Sequence, residues 1–214
     1  DARAESFYAE SLRISAALSE NISAALEEFN TDSLSTENRF TLEILKDTMA
    51  GQVTAASFPY YDEPLRPSTG EQAQLPILLA EYTFSDTRDI SDYLEILSSI
   101  PSCFDSICEY EQEKLDCGLF MSDSAAETVI SQCRDFAASA DNNYLLYTFN
   151  EKVDALDELS RNEKTAYKEQ NRAILTSQVL PAYQDLADTL TELYSTASGE
   201  RGNQAGLCHF PEGT

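Results

Sequence analysis

The chain has 214 residues and 42% of them are hydrophobic, so it can bury a core of its own and is too apolar for an intrinsically disordered chain. It carries 38 acidic and 14 basic residues, and the net charge of −24 repels phosphate backbones, which argues against nucleic acid as a partner. That charge leaves open a cationic partner, metal ions or simple solubility, and no apolar run approaches the roughly 18 residues that a membrane span needs.

Two helices are predicted in the first quarter of the chain. The first covers about residues 5–29, and apolar residues at helical spacing give it one face: Leu18, Ile22, Ala25 and Phe29. The segment NTDSLSTE is rich in capping residues and ends this pattern. The second helix carries Phe40, Ile44 and Leu45 and ends within residues 51–57.

A polar stretch, PYYDEPLRPSTGEQAQLP, holds four of the seven prolines. We expect a loop over residues 58–76 that ends one helix and leads the chain across the bundle. The apolar segment LPILLAEYTF that overlaps its end is short enough for either a helix or an extended piece, and periodicity does not decide between them.

Asp86 is the predicted N-cap of the next helix, whose inward face has four members: Ile90, Tyr93, Leu94 and Leu97. Pro101 fits the first turn of a further helix. Gly118 fits the C-terminal cap of that helix.

The rest of the chain also reads as helix, because residues 119–180 contain neither glycine nor proline. Capping boxes are predicted at Ser124 with Glu127 and at Ser160 with Glu163. The last helix runs from about residue 162 to 197, and we expect a kink or a restart at Pro181. Its apolar face comprises Val179, Tyr183, Leu186, Leu190 and Tyr194.

The glycine-rich tail, residues 198–214, is expected to be a loop or an exit segment. These elements predict an all-α, irregular multi-helix bundle of about six to eight helices. We expect the whole chain, residues 1–214, to form a single α-helical domain.

The five cysteines are Cys103, Cys108, Cys117, Cys133 and Cys208. None of them forms a CxxC pair, and the odd number is not typical of a disulfide framework. Buried free thiols are expected, and one disulfide within the first four stays open.

The sequence offers no recognisable catalytic centre. Its single histidine, His209, lies near the end, so neither HExxH nor a triad with GxSxG is present. Cys208 beside it gives at most two adjacent ligands, whereas a structural zinc site usually has four. No phosphate-binding glycine loop occurs either. We therefore predict no catalytic and no metal-binding residue in this chain.

The proline-rich loop is the one candidate for ligand recognition. Its candidate substrate-binding residues are Tyr60, Tyr61, Arg66, Gln72 and Gln74. The tyrosines offer aromatic faces with hydroxyl groups, the arginine offers a planar carboxylate fork, and the glutamines offer amides. The competing interpretation is structural: the tyrosines cover the bundle while Arg66 pairs with Asp62 or Glu63.

Several segments occur in an order that is similar to one bacterial family. They begin with LSTENRFTLEIL, YYDEPLRPSTGEQAQLPILLAEYTF and DISDYLEILSSIP, and continue with EKLDCGLFMSDSAAETVISQC, VLPAYQDLADTLTELY and FPEGT. On this set the chain resembles the N-terminal helical part of the proteins named domain of unknown function 885 (DUF885), over about residues 34–214.

This resemblance implies an α-rich, zinc metallopeptidase-like protein whose full-length members are much longer. Their HExxH motif lies downstream of the segment that resembles FPEGT, so their zinc ligands and general base map onto no residue here. No cofactor is therefore expected in this chain, which would be a fragment, and zinc is expected only in a longer parent. Many relatives are exported or lipid-anchored, so an exported or anchored parent is the expectation.

Two functions follow. In the first, the chain is the non-catalytic helical portion of such a protein: it shapes the substrate cleft, contacts peptide and has the remaining C-terminal part of the parent as its partner. In the alternative, it is a stand-alone acidic helical module for protein interaction, with no enzymatic role. A fragment should also expose an apolar patch where the missing part packed, near the last helix, and self-associate through it.

Overall fold

The computed structural model describes residues 6–58 and 60–198, and these form helices and turns without a strand. This confirms the predicted all-α, irregular bundle. The helices are α1 (Phe7–Glu27), α2 (Thr36–Ala55), α3 (Glu71–Glu81), α4 (Thr87–Asp116), α5 (Asp123–Ala137), α6 (Tyr144–Ala155), α7 (Arg161–Ile174) and α8 (Leu180–Ser198). Short 3₁₀ turns occupy Thr31–Ser33 and Ala140–Asn142, and a π-helical turn, Leu175–Val179, joins α7 to α8.

The chain divides into two compact units, residues 1–62 and residues 63–214. The first is a helical hairpin of α1 and α2, and the second is a bundle of α3 to α8. We describe each by itself below, and a single domain stays a prediction. The predicted exit segment at the end of the chain lies outside the described residues, apart from Ser198 at the end of α8.

Both hairpin helices begin at serine caps. The Ser6 hydroxyl accepts a hydrogen bond from the Ala9 amide at 3.3 Å, and the Ser35 hydroxyl accepts one from the Asn38 amide at 3.2 Å. The two helices pack against each other, but among the hydrophobic side chains only Ala9 and Leu42 are buried in the described part of this unit. The predicted helices are therefore confirmed, with a very small core between them.

The apolar face that the sequence predicts on α1 is exposed. Leu18 is 58% exposed, Ile22 is 40% exposed and Phe29 is 57% exposed. On α2, Phe40, Ile44 and Leu45 are exposed as well. By contrast, the described part of α8 exposes no large hydrophobic side chain. The patch that is predicted near the last helix does not lie on the described part of α8, because the apolar residues of that part face the bundle core.

The bundle is organised around α4, which contacts α7, the π-helical turn and α8, while α5 packs on α8. All four residues of the predicted inward face of α4 are buried: Ile90, Tyr93, Leu94 and Leu97. Asp86 caps this helix as predicted, in a capping box with Asp89. Gly118 also ends it as predicted: its φ is +74°, and the bonds Gly118 N–H to Leu115 O and Leu119 N–H to Lys114 O form a Schellman motif.

The prediction that Pro101 opens a new helix is wrong, because α4 continues through it for 30 residues. An internal proline removes one helical hydrogen bond, here to the Leu97 carbonyl, and costs about 3 kcal/mol. The apolar stripe that runs past it compensates, since Ile100, Phe104 and Ile107 are all buried.

The capping box predicted at Ser124 is wrong too. Helix α5 begins earlier, with Ser122 at the N-cap position, and Ser124 is an exposed residue of the first turn. The register of α5 follows from the burial of Ala126, Val129 and Ile130 rather than from a capping box. The box of Ser160 with Glu163 is confirmed, and the hydrogen bonds lower the pKa of the Glu163 carboxyl.

The last helical segment runs from α7 through the π-helical turn into α8. Pro181 follows directly after this turn, as the second residue of α8. The irregularity predicted there is thus a π-helical turn just before the proline, and the helix continues without a break. On the predicted face, Val179, Tyr183, Leu186 and Leu190 are buried and Tyr194 is half-buried.

Candidate functional site

Residues 75–81 of the segment LPILLAEYTF, left open above, form most of α3. Because α3 begins at Glu71, residues 71–76 of the predicted loop 58–76 are helical, and the loop ends at Gly70. Pro76 lies inside this helix and has no N–H for the Gln72 carbonyl four residues earlier. The Tyr183 hydroxyl of α8 donates to that carbonyl instead, at 2.8 Å. At the other end, Lys152 of α6 donates to the carbonyls of Leu79 and Ala80 at 3.2 and 2.5 Å. Helix α3 is thus fixed at both ends within the bundle, and so is the loop that precedes it.

Side-chain amides hold the loop of residues 63–70 in one conformation. Gln72 of α3 donates to the Arg66 carbonyl at 2.6 Å, and Gln132 of α5 donates to the Pro67 carbonyl at 2.7 Å. Gln74 donates to the Ser68 carbonyl at 3.1 Å. The backbone carbonyls of three consecutive residues of this exposed loop therefore each accept a hydrogen bond from a side chain. These bonds make the loop rigid.

Gly70 closes this loop because nothing larger fits. A Cβ atom there would lie 2.2 Å from the Arg66 nitrogen and 2.2 Å from Oε1 of Gln72. The amide of Gly70 in turn donates to the Arg66 carbonyl at 3.2 Å. The close approach of the two backbone segments therefore requires glycine.

Gln72 makes hydrogen bonds to the loop, to α5 and to α8, and it is only 3% exposed. Its Nε2 atom donates to Oε1 of Gln132 at 2.9 Å as well as to Arg66. Its backbone carbonyl receives the Tyr183 hydroxyl. Gln72 and Gln74 thus both support the loop, and their predicted contact with a substrate stays a prediction.

Arg66 is the candidate residue that lies at the surface of the bundle unit, with a side chain 45% exposed. Its Nε atom donates to the Glu63 carbonyl at 2.6 Å and lies 4.0 Å from the Glu63 carboxylate. The pairing with Glu63 is one of the two that the structural interpretation predicts. An ion pair this exposed is worth about 0–1 kcal/mol, so a ligand carboxylate can compete for the guanidinium.

Tyr60 and Tyr61 belong to the hairpin unit and are half-buried. Tyr60 has a φ of +70°, in the left-handed region that non-glycine residues rarely adopt. The ring of Tyr61 meets Phe58 edge-on, with centroids 5.8 Å apart. Next to them, Asp62 accepts a hydrogen bond from the Tyr8 hydroxyl at 2.7 Å. The structure thus places the five candidate residues in two units, and a binding role for the tyrosines stays a prediction.

In the part of the chain that the structure describes, no metal site emerges, and two of the four described cysteines are largely buried thiols. No group of three or more His, Cys, Asp and Glu residues there could hold a metal ion, so these residues do not fit a zinc site. Cys103, Cys108, Cys117 and Cys133 are free, and burial raises the pKa of the Cys108 and Cys133 thiols to about 12. Such thiols stay protonated at neutral pH and are poor nucleophiles. Cys208 and His209 lie outside the described residues.

The sequence analysis missed a buried ion pair in α4. Nζ of Lys114 lies 3.3 Å from Oε1 of Glu111, and both side chains are at most 1% exposed. The ammonium also lies 5.9 Å from the centre of the Tyr110 ring. The spacing could have revealed it, because Glu111 and Lys114 continue the buried stripe of Ile100, Phe104 and Ile107 at intervals of four and three.

A second missed feature is Asn171 of α7, which is fully buried and whose side-chain atoms make no hydrogen bond with a described residue. Nearby along the same helix, Tyr167 and Gln170 line an open groove of about 350 Å³ together with residues of α4. The groove is a concave surface with polar and apolar walls, and α4 contributes Ser91, Leu94, Glu95 and Ser98 to it.

The chain is similar to known proteins in its fold and in its sequence. None of the helices described here combines the length and apolar character that crossing a bilayer requires. No curated protein matches the sequence. The fold is similar to "the crystal structure of the putative lipoprotein from Colwellia psychrerythraea", with a TM-score of 0.83 and 17% identity. The match covers 96% of this chain but only 36% of that one, so the chain spans about a third of that protein's length.

The sequence itself carries the assignment to a family. Residues 1–213 match the family described as "Bacterial protein of unknown function (DUF885)". This match covers nearly the whole chain and agrees with the ordered segments from which the resemblance was inferred. The chain therefore belongs to the DUF885 family of bacterial proteins.

Proposed function

We propose that this chain is the non-catalytic helical part of a longer zinc metallopeptidase-like protein, in which it forms one side of the substrate cleft and contacts peptide. The observation that carries the proposal is the loop of residues 63–70. Three glutamine amides fix its backbone while Arg66 lies at the surface. A rigid loop loses little conformational entropy on binding, which suits recognition.

The chemistry of Arg66 points to a carboxylate as the ligand group. A guanidinium binds carboxylates in a bidentate fork, which a lysine cannot do. Glu63 already occupies part of this fork in the free chain, through one atom at 4.0 Å. A peptide carboxylate that binds the guanidinium in this way would compete with the exposed pair to Glu63, which is weak.

The length of the structurally similar protein supports a division between a helical part and a separate catalytic part. The structurally similar lipoprotein is nearly three times as long as the aligned part, since only 36% of it is covered. In the proposed arrangement the rest of a longer parent supplies the zinc ligands and the general base. Because that neighbour is described as a "putative lipoprotein", we also propose that the parent is exported.

A second function, a stand-alone acidic module for protein interaction, is favoured by one observation. The hairpin exposes an apolar face on a chain with a net charge of −24. Exposed apolar patches of this kind mark interaction sites. This function requires no catalytic part and predicts that no peptide is turned over by any form of the protein.

The test uses the longer parent with two fluorogenic peptides that differ only in a free or an amidated C-terminus. We expect Arg66→Ala to raise KM about tenfold for the free carboxylate, because one charge-assisted contact is worth about 1.4 kcal/mol or more, and to leave kcat unchanged. The amidated peptide should be unaffected.

Arg134→Ala is the matched control, since Arg134 is also about half-exposed, at 50%, donates to the Thr191 hydroxyl at 3.0 Å and lies 3.9 Å from Asp188. It should leave both peptides unchanged. Equal kinetics for Arg66→Ala and the wild type would leave this arginine a structural role alone. A parent that hydrolyses neither peptide would favour the interaction module.

A further inference from the structure

We propose that the exposed apolar face of α1 is the docking surface for the part of the longer protein that lies outside this chain. This inference rests on the proposed function, because it needs a longer parent. The α1 face consists of Phe7, Ile14, Leu18 and Ile22. They are 73%, 58%, 58% and 40% exposed, respectively.

The four side chains lie on one side of the helix, with the polar Ser11 between Phe7 and Ile14. At about 100° per residue they fall within roughly 80° of the helix circumference, and from Phe7 to Ile22 the stripe is about 22 Å long. A stripe of that width and length is what an amphipathic helix buries against a partner surface. The four residues therefore make α1 amphipathic and are not scattered around the helix.

The rest of the hairpin does not need this face. Helix α1 contacts α2 through its other side, where Ser19 donates to Gln52 at 2.6 Å. Lys46 and Glu27 form an ion pair at 2.7 Å between the two helices. Among the described hydrophobic residues of this unit only Ala9 and Leu42 are buried, so the hairpin gains little from its own core. A second surface on the α1 face would supply the missing apolar burial.

The occupant follows from length and charge. A protein that shares this fold has 64% of its chain outside the aligned part, given a coverage of 36%, and such a length is ample for an apolar counter-surface. A second copy fits less well, because two chains of net charge −24 repel each other. We therefore assign the α1 face to the rest of the same polypeptide.

The test compares one substitution in two contexts, the 214-residue chain and the protein translated from the complete reading frame. In the longer protein Leu18→Glu should lower the thermal midpoint by about 5 °C, since it places a charge in a packed interface. In the 214-residue chain it should leave the midpoint unchanged, because Leu18 is then in water.

Leu78→Glu is the matched control, since Leu78 also lies on a helix and is 59% exposed. It should have the same small effect in both contexts. A measurement without substitutions complements it: hydrogen exchange of the α1 amides should slow at least tenfold in the longer protein, as α1 becomes covered.

Three results would overturn the assignment. One is an equal effect of Leu18→Glu in both contexts. Another is a dimer of the 214-residue chain whose dissociation constant rises tenfold with Leu18→Glu, which would make a second copy the occupant. The third is a reading frame that ends at Thr214. The peptide kinetics of Arg66→Ala are independent of these results, so loss of the peptide contact and loss of the docking surface are told apart.

Discussion

The hairpin of residues 6–58 and the bundle of residues 63–198 use the same sequence signal with opposite outcomes. In α4 the apolar stripe is buried, from Ile90 to Ile107. In α1 the stripe from Phe7 to Ile22 is exposed. Hydrophobic periodicity thus identifies the helix and its apolar face, but it does not identify what covers that face.

The two ion pairs show the same contrast. The hairpin pair, Lys46 with Glu27, is shorter at 2.7 Å but its side chains are 26% and 68% exposed. The bundle pair, Lys114 with Glu111, has a separation of 3.3 Å and is buried. Burial rather than distance decides what each pair is worth, because water screens the exposed one.

The largest effect is therefore expected at the bundle pair. Lys114→Met should lower the free energy of unfolding by about 3–5 kcal/mol, because it removes the ammonium that lies 3.3 Å from the buried Glu111 carboxylate. Lys46→Met in the hairpin should cost at most about 1 kcal/mol. Urea unfolding of the 214-residue chain at neutral pH measures both.

A double variant separates charge from volume in this prediction. Glu111→Gln with Lys114→Met removes both charges at nearly constant size and should recover much of the loss. If Lys114→Met lowers the free energy of unfolding no more than Lys46→Met does, water reaches the buried pair. The two ion pairs would then not differ in their contribution to stability.

The next effect compares two leucines on helices. Leu190 of α8 is fully buried and Leu18 of α1 is 58% exposed. We expect Leu190→Ala to cost about 2–5 kcal/mol, since it opens a cavity, and Leu18→Ala to cost less than about 0.5 kcal/mol. Both values come from chemical unfolding of the 214-residue chain, and similar losses would show that the α1 face is covered already in this chain.

Local signals explain which parts of the fold could be predicted. Helix starts at Asp86 and Ser160 and the stop at Gly118 follow from capping chemistry within a few residues. Pro101 and Ser124 were misjudged because their outcome depends on the burial of neighbouring turns, which a local motif does not contain. Hydrophobic periodicity also predicts the apolar face of α1. Whether that face is exposed depends on the surrounding tertiary structure, which periodicity does not contain.

The candidate loop shows the same limit at the level of a site. Its composition pointed to recognition, and the exposure of Arg66 agrees with a surface position. The supporting role of Gln72 was not predictable, because its partners Gln132 and Tyr183 lie 60 and 111 residues away along the chain. Sequence composition marks a polar loop, but only the packed bundle shows which of its polar groups are already used.

The smallest effect concerns the link between the bundle core and this loop. Tyr183→Phe removes the hydroxyl that donates to the Gln72 carbonyl, which has no partner in the Pro76 nitrogen, and should cost about 1–2 kcal/mol. Tyr194→Phe on the same helix is the control: its hydroxyl donates to Glu127 at 3.0 Å at the exposed rim, so its loss should cost less than about 0.5 kcal/mol.

Hydrogen exchange locates the consequence of Tyr183→Phe. The Gly70 amide, which donates to the Arg66 carbonyl, should exchange about tenfold faster when Gln72 loses its anchor, because about 1.4 kcal/mol of local stability corresponds to a factor of ten. Amides of α1 in the hairpin serve as the internal reference and should not change. Unaltered exchange at Gly70 would mean that the glutamine amides hold the loop without help from Tyr183. The hydrogen bond from the bundle core would then stabilise the protein without ordering the loop that carries Arg66.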